Sequence, residues 1–175
     1  MKVFDNIVKK TNSLDIENFL LSQDFPWHLV KKSSGKSKEI KGFSDTIQFE
    51  HHFIKNGQIN SNAIHSVMKM LEWENIIKKI GVSPEILRMK SNLLLKTQTT
   101  PNTPHIDFLD PHMVLLYYVN DSSGPTIFYN DKFEVIKKVE PERGRIVLFN
   151  GGIYHSSTPP QTNEYRCVIN FNLKI

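Results

Sequence analysis

From Tyr165 to Leu173 the chain reads Tyr-Arg-Cys-Val-Ile-Asn-Phe-Asn-Leu, an alternation that constrains the fold more than any other stretch. In an extended strand successive side chains point to opposite faces, so Arg166, Val168, Asn170 and Asn172 form one mainly polar face. Cys167, Ile169, Phe171 and Leu173 form an apolar column on the other. The column must be covered by another layer, and the polar face must look into a wet cavity.

Seven further short strand patterns precede this one, at about 86–98, 104–107, 113–119, 125–129, 133–138, 145–149 and 153–156. Eight short strands of this kind suit a double-stranded β-helix, the jelly-roll architecture. The first half reads differently. Residues 13–22 predict a helix with Ser13 as its cap and Ile16, Phe19 and Leu20 on one face. Two strands should follow around a lysine-rich loop, and the alternation at 46–50 makes Ile47 and Phe49 core residues. Residues 60–81 predict helix again, but the stripe Ile64, Val67, Met68, Leu71 gives way to Trp73, Ile76, Ile77, Ile80 on nearly the opposite side. That change predicts two helices or a kink near Glu72, and Pro84 ends the helical part. The expected class is α+β, mainly β: one domain over 1–175, with a helical and hairpin support region at 1–85 and a jelly-roll core at 86–175. The N-terminal helices are the amphipathic elements available to pack on the outer face of the major sheet.

Composition agrees with a compact enzyme-sized unit. A chain of 175 residues can bury a substantial core, and its sequence shows neither a repeat nor a disorder bias. No apolar run reaches the length of a membrane span, and the start MKVFDNIVKK lacks the apolar core of a signal peptide, so a soluble cytoplasmic protein is expected. Cys167 is the single cysteine, which excludes an internal disulfide and fits a reducing compartment as a buried apolar filler. The net charge of +4 owes much to lysine, five of them within residues 31–42, a Ser/Gly-rich stretch that reads as a solvated hairpin loop.

Within the strand pattern, His105 and Asp107 stand two residues apart, so an extended backbone projects both to the same side about 7 Å apart. His155 follows the apolar run 146–149 at a separate strand end. Two imidazoles and one carboxylate make a facial triad that leaves half of an octahedral ion open, the arrangement of non-haem Fe(II) oxygenases. Arg166 follows His155 by eleven residues, and a guanidinium on that polar face can grip a carboxylate with two parallel hydrogen bonds. The other histidines lack this spacing. His51 and His52 are adjacent and point to opposite strand faces, while His28, His65 and His112 have no partner at ligand spacing, although His112 falls close to Asp107 in sequence.

The ordered set His-x-Asp, His and a basic residue resembles the 2-oxoglutarate-dependent Fe(II) dioxygenases, specifically their small prolyl-4-hydroxylase-like branch. Tyr117-Tyr118-Val119-Asn120, Gly124-Pro125-Thr126-Ile127-Phe128 and Gly144-Arg145-Ile146-Val147-Leu148-Phe149 match the same branch, and the likeness covers about residues 86 to 175. It departs at Leu95-Lys96-Thr97-Gln98, where many relatives carry a tyrosine and a glycine, and at Val168, where a serine is frequent. The resemblance implies that His105, Asp107 and His155 hold Fe(II). It implies further that 2-oxoglutarate chelates the metal with its distal carboxylate on Arg166, that Tyr118 is a second contact and that Thr126 lines the cavity. Tyr117 should face the other way. Dioxygen would be the oxidant, with ascorbate supportive, and a substrate C–H would be hydroxylated as 2-oxoglutarate becomes succinate and CO2. A peptidyl-prolyl or other protein side chain is the substrate the resemblance favours. An oxygenase acting on nucleic acid or a small metabolite, and a non-catalytic jelly-roll binding module, are the alternatives. Oligomeric state is not legible.

Overall fold

The computed structural model describes residues 1–32, 40–81 and 83–174. In chain order its elements are β1 (Lys2–Phe4), α1 (Lys10–Leu20), β2 (His28–Val30), β3 (Gln48–Lys55), β4 (Gln58–Ile59), α2 (Ala63–Met70), α3 (Trp73–Ile80), β5 (Glu85–Leu95), β6 (Met113–Tyr118), β7 (Thr126–Tyr129), β8 (Val135–Val139), β9 (Ile146–Asn150), β10 (Tyr154–Ser157) and β11 (Tyr165–Lys174). The major sheet runs β1-β9-β6-β11-β5-β3-β2 with β4 added to β3, and a three-stranded sheet runs β10-β7-β8. All these pairings are antiparallel. The two sheets form the jelly roll, and β11 lies at the centre of the larger one.

The two faces of β11 meet the two cores. Cys167, Ile169, Phe171 and Leu173 pack with Ile16 and Leu20 of α1, Ile64 and Val67 of α2, and Ile76 of α3. Trp73 stacks on Phe171 with ring centroids 5.0 Å apart. The helices thus cover the apolar column. Between the sheets, Val114, Leu116, Val147, Phe149 and Val168 meet Phe128 and Val139 in a smaller core. This second core fills one end of the roll and leaves the other end to polar side chains.

Four local expectations are corrected. Ser13 is not a cap: α1 starts at Lys10, and Ser13 is buried in its first turn with its hydroxyl donated to the Lys9 carbonyl. The N-terminus of α1 is served instead by Glu72, whose carboxylate accepts the Lys9 N–H at 3.1 Å and pairs with Lys9 Nζ at 2.9 Å. Residues 104–107 form no strand. His105 alone bridges His155, because Pro101 and Pro104 remove ladder donors from the segment. Ile47 is 54 % exposed, and Phe49 is only half-buried, while Thr46 and Gln48 are buried. Near the sheet edge the helical layer no longer covers the outer face, so there the interior is the polar side of the alternation. The break expected near Glu72 is present, with that residue in the left-handed region at φ 51° between α2 and α3. Of the lysine-rich loop, residues 33–39 lie outside the described residues, and Lys31, Lys32 and Lys41 are exposed. No helix among the described residues is long and apolar enough to cross a membrane.

Candidate metal centre and co-substrate cavity

Three segments converge on one point inside the roll. The backbone bridge between His105 and His155, with N–H to carbonyl distances of 3.0 Å in both directions, sets the two imidazoles side by side with centroids 4.9 Å apart. Asp107 follows two residues later, and one potential ligand atom from each of His105, Asp107 and His155 lies within 4.8 Å of the others. The sequence spacing worked through a bridge and a bend in place of a regular strand.

Each donor is held by a second group. His105 Nδ1 lies 3.1 Å from the Thr103 carbonyl and His155 Nδ1 lies 3.0 Å from the Ile153 carbonyl. Each Nδ1 therefore donates to a backbone carbonyl, which leaves Nε2 as the ring nitrogen available to a metal. Asp107 Oδ1 pairs with the Arg88 guanidinium at 2.6 Å, while Oδ2 accepts the side-chain amides of Asn172 at 2.8 Å and Asn170 at 3.2 Å. Arg88 is itself fixed, since its Nε donates to Asn172 Oδ1 at 2.8 Å and its guanidinium lies 4.8 Å over the Phe108 ring. Burial alone would raise the pKa of Asp107. Arg88, then His155 and His105, and the Asn172 hydrogen bond outweigh it and hold the carboxyl far below the ordinary range. Burial, with His105 next, pulls His155 down to about 4 against the opposing pull of Asp107. A neutral imidazole and an ionised carboxylate are the forms a divalent metal needs. Two nitrogen donors and one oxygen donor, each held in orientation by a neighbouring group, fit Fe(II).

The cavity beside this triad spans about 480 Å³, its open mouth included, and Arg166 lines its far wall. Arg166 is 2 % exposed, and its guanidinium is pinned by the Gly124 carbonyl at 2.7 Å and Thr126 Oγ1 at 2.7 Å. Among the described residues no carboxylate forms an ion pair with it. Thr126 lines the same cavity, and Tyr118 stands behind it: the Tyr118 hydroxyl donates to Thr126 Oγ1 at 2.6 Å and its ring lies 5.5 Å from the Arg166 guanidinium carbon. Burial raises the Tyr118 phenol, so it remains a donor at neutral pH. Tyr117 points into the outer core, as the strand alternation requires. Leu94, Leu116 and Val168 line the stretch between the triad and Arg166.

Gln48, Lys90 and Asn92 complete the walls of the cavity and Arg88 braces Asp107 from behind, and none of the four was picked out by motif or spacing. A signal existed: Arg88, Lys90, Asn92 and Leu94 alternate with Met89, Ser91 and Leu93 along β5 as the polar residues of β11 do. His112 lies near the ligands but turns away, its Nδ1 bonded to the Asp110 carbonyl at 2.8 Å and its ring packed between Phe108 and the backbone of Gly151. Cys167 is buried in the helix-side core, and burial pushes its thiol pKa up.

No protein-family model and no curated protein matches the sequence. Solved structures do match. A prolyl hydroxylase from Trichoplax adhaerens, solved with a hypoxia inducible factor oxygen degradation domain peptide fragment, aligns with a TM-score of 0.67 at 14% identity over 98% of this chain and 82% of that one. The fold is that of the 2-oxoglutarate/Fe(II) oxygenases. A Pseudomonas putida prolyl-4-hydroxylase aligns at 0.63 and 13% identity over 99% and 91% of the two chains. HygX from Streptomyces hygroscopicus, holding nickel, 2-oxoglutarate and hygromycin B, aligns at 0.64 and 10% identity over 98% and 81%.

Proposed function

We propose that residues 1–175 form a single Fe(II)- and 2-oxoglutarate-dependent oxygenase domain that hydroxylates a substrate C–H bond. The observation that carries this reading is Arg166, a buried cation without an acidic partner among the described residues, across one cavity from three converging metal donors. An unpaired buried charge is costly, and the cost is met when a ligand brings the opposite charge. 2-Oxoglutarate fits on both counts, with a distal carboxylate for Arg166 and a keto acid for the metal. Leu94, Leu116 and Val168 suit its two methylenes.

The residues divide the work. His105, Asp107 and His155 would hold Fe(II), and Arg88, Asn170, Asn172 and the carbonyls of Thr103 and Ile153 keep those donors aimed. Arg166 and Thr126 would fix the co-substrate, with Tyr118 and Gly124 holding them in place. Bound Fe(II) supplies the activation of dioxygen that amino-acid side groups alone do not. In the overall reaction the substrate C–H bond and the C1–C2 bond of 2-oxoglutarate break. One atom of O2 enters the new alcohol and the other the new carboxylate of succinate, C1 leaves as CO2, and each organic partner gives up two electrons. Ascorbate would keep the iron reduced. A cytoplasmic setting belongs to this reading, supported by the lone buried thiol.

The fold neighbours divide over substrate, since one was solved with a peptide and another with hygromycin B. A peptidyl-prolyl side chain is the reading favoured by sequence resemblance, and a small molecule is the second reading. Titration of 2-oxoglutarate into Ni(II)-loaded protein tests the core of the proposal. Wild type should bind with a Kd that rises about 10- to 100-fold in Arg166→Ala, the worth of charge-assisted hydrogen bonds. Equal affinity in the two proteins would mean that another group holds the distal carboxylate.

A further inference from the structure

Along β5, Arg88, Lys90, Asn92 and Leu94 share one side of the alternation, and Arg88 is paired in register with Asn172 of β11. That register sets a guanidinium against the carboxylate of the candidate metal centre. The side chains of Arg88 and Asp107 are 17% and 6% exposed, so water and salt screen the pair little. The guanidinium is fixed on three sides: its Nε donates to Asn172 Oδ1 at 2.8 Å, its carbon lies 4.8 Å from the centre of the Phe108 ring, and Nη2 reaches Asp107 Oδ1 at 2.6 Å. The last contact is an ion pair rather than an aligned hydrogen bond, because the buried Nη2 has no acceptor in line with its N–H bonds. The two oxygens of Asp107 are thus used differently. Oδ2 accepts two neutral asparagine amides, whereas Oδ1 faces a full positive charge and keeps a lone pair free.

The charge around the cavity follows. Asp107 and Arg88 cancel, Lys90 and Glu50 cancel, and Arg166 is left as a cation without an acidic partner among the described residues. The donors that would hold a divalent metal therefore present no net negative charge once Arg88 is counted. A bare dication gains less from them than from the same three donors without Arg88, and a dianion gains more. An arginine behind a ligand can also serve as a brace, and losing a brace weakens metal binding. Here the amides of Asn172 and Asn170 brace Asp107 from the other oxygen, so the charge of Arg88 is separable from the aiming of the carboxylate.

On the reading that this cavity holds Fe(II) and 2-oxoglutarate, we infer that Arg88 acts through Asp107 to weaken the site's hold on the metal alone and to strengthen the metal-loaded site's hold on 2-oxoglutarate, so that the two are retained as a pair. The guanidinium draws electron density from Oδ1, which makes the site a stronger acceptor for the keto acid. The 1-carboxylate of 2-oxoglutarate brings the negative charge that Arg88 cancels. Linkage makes the dependence mutual: the factor by which the co-substrate tightens the metal is the factor by which the metal tightens the co-substrate.

The test is calorimetric titration of wild type, Arg88→Met, Arg88→Gln and Arg88→Lys, first with Ni(II) alone and then with 2-oxoglutarate on the Ni(II)-loaded protein. Methionine and glutamine keep bulk without charge, and lysine keeps the charge. Both neutral variants should bind Ni(II) about tenfold or more tightly than wild type and 2-oxoglutarate about tenfold or more weakly. Arg88→Lys should stay within about threefold of wild type on both counts. A variant damaged in shape would lose affinity for both ligands, so opposite signs belong to the charge. In wild type, saturating 2-oxoglutarate should tighten Ni(II) binding by at least about tenfold. Ni(II) affinity unchanged or lower in the neutral variants would overturn the inference and leave Arg88 a brace. So would a lysine variant that behaves as the neutral ones do, 2-oxoglutarate affinity that does not fall in them, or wild-type Ni(II) affinity indifferent to 2-oxoglutarate. Failure of wild type to bind Ni(II) at all, with or without 2-oxoglutarate, is a different result, which overturns the oxygenase reading on which the inference rests.

Discussion

At the scale of single residues, Asp107 carries the heaviest set of obligations, because the carboxylate that would bind the metal is also the counterion of Arg88 and the acceptor for two asparagine amides. Asp107→Ala should therefore do more than lose metal: stranding the half-buried guanidinium should lower stability by about 3–5 kcal/mol. Adding Arg88→Met should restore much of that stability without restoring metal binding. Urea unfolding and Ni(II) titration of the three variants separate the two roles, and a double variant as unstable as the single one would show that the ion pair is not what Asp107 contributes to the fold. Glu50 supplies a pH dependence. Burial would raise its pKa, but His52 and Lys90 bring it to about 2 from the ordinary 4.5. A carboxyl depressed in the folded state contributes stability above its unfolded value, and that contribution is lost as pH falls from about 4.5 toward 2. Glu50→Gln should consequently show a smaller drop in urea midpoint between pH 5 and pH 3 than wild type. A drop of the same size would assign the acid sensitivity elsewhere. The triad and Arg166 were legible as residues because ligand chemistry restricts residue type and spacing. Arg88 was not, since a strand arginine has many ordinary uses and only the folded register of β5 against β11 sets it beside Asp107.

At the scale of elements, the segment from Gly124 to Thr126 works as the seat of Arg166. Gly124 is packed so closely on the Thr158 carbonyl that a Cβ there would collide with backbone. Gly124→Ala should push the segment off its place and weaken 2-oxoglutarate binding, leaving Ni(II) binding at the triad within about twofold. Co-substrate affinity equal to wild type would mean that Arg166 keeps its seat without this contact. Strand positions from β5 onward were largely readable, because β5 and β11 alternate, β6, β7 and β9 are short apolar runs buried on both faces, and the turns between them carry glycine and proline. The α2/α3 break was readable from the jump of the apolar stripe. What failed were judgements that depend on what lies outside an element. Ser13 looked like a cap, but Glu72 serves that end of the helix through Lys9, 63 residues away, from the left-handed turn between α2 and α3. Ile47 looked like core until the helical layer stopped short of it.

At the scale of the whole molecule, one strand organises both layers: the apolar column of β11 anchors the three helices, and its polar face supplies Arg166 and Asn170 to the cavity and Asn172 to Asp107. The helical layer thus orients the site by fixing the strand that carries it, although no helical residue lines the cavity. The fold was legible because that single alternation demanded a cover on one side and a wet interior on the other. The cavity wall beyond the triad was not, because Gln48 joins Lys90 and Asn92 only once β3 and β5 pair. The most direct test is succinate formation from 2-oxoglutarate under Fe(II), ascorbate and oxygen, beside an Asp107→Ala control and with small metabolites, peptides and nucleic acid supplied in turn. An oxygenase built on these residues should form succinate that requires both iron and Asp107 and that rises when one class of substrate is present. Succinate formed equally by the Asp107→Ala protein, or none in any condition, would contradict the claim that these residues make an oxygenase.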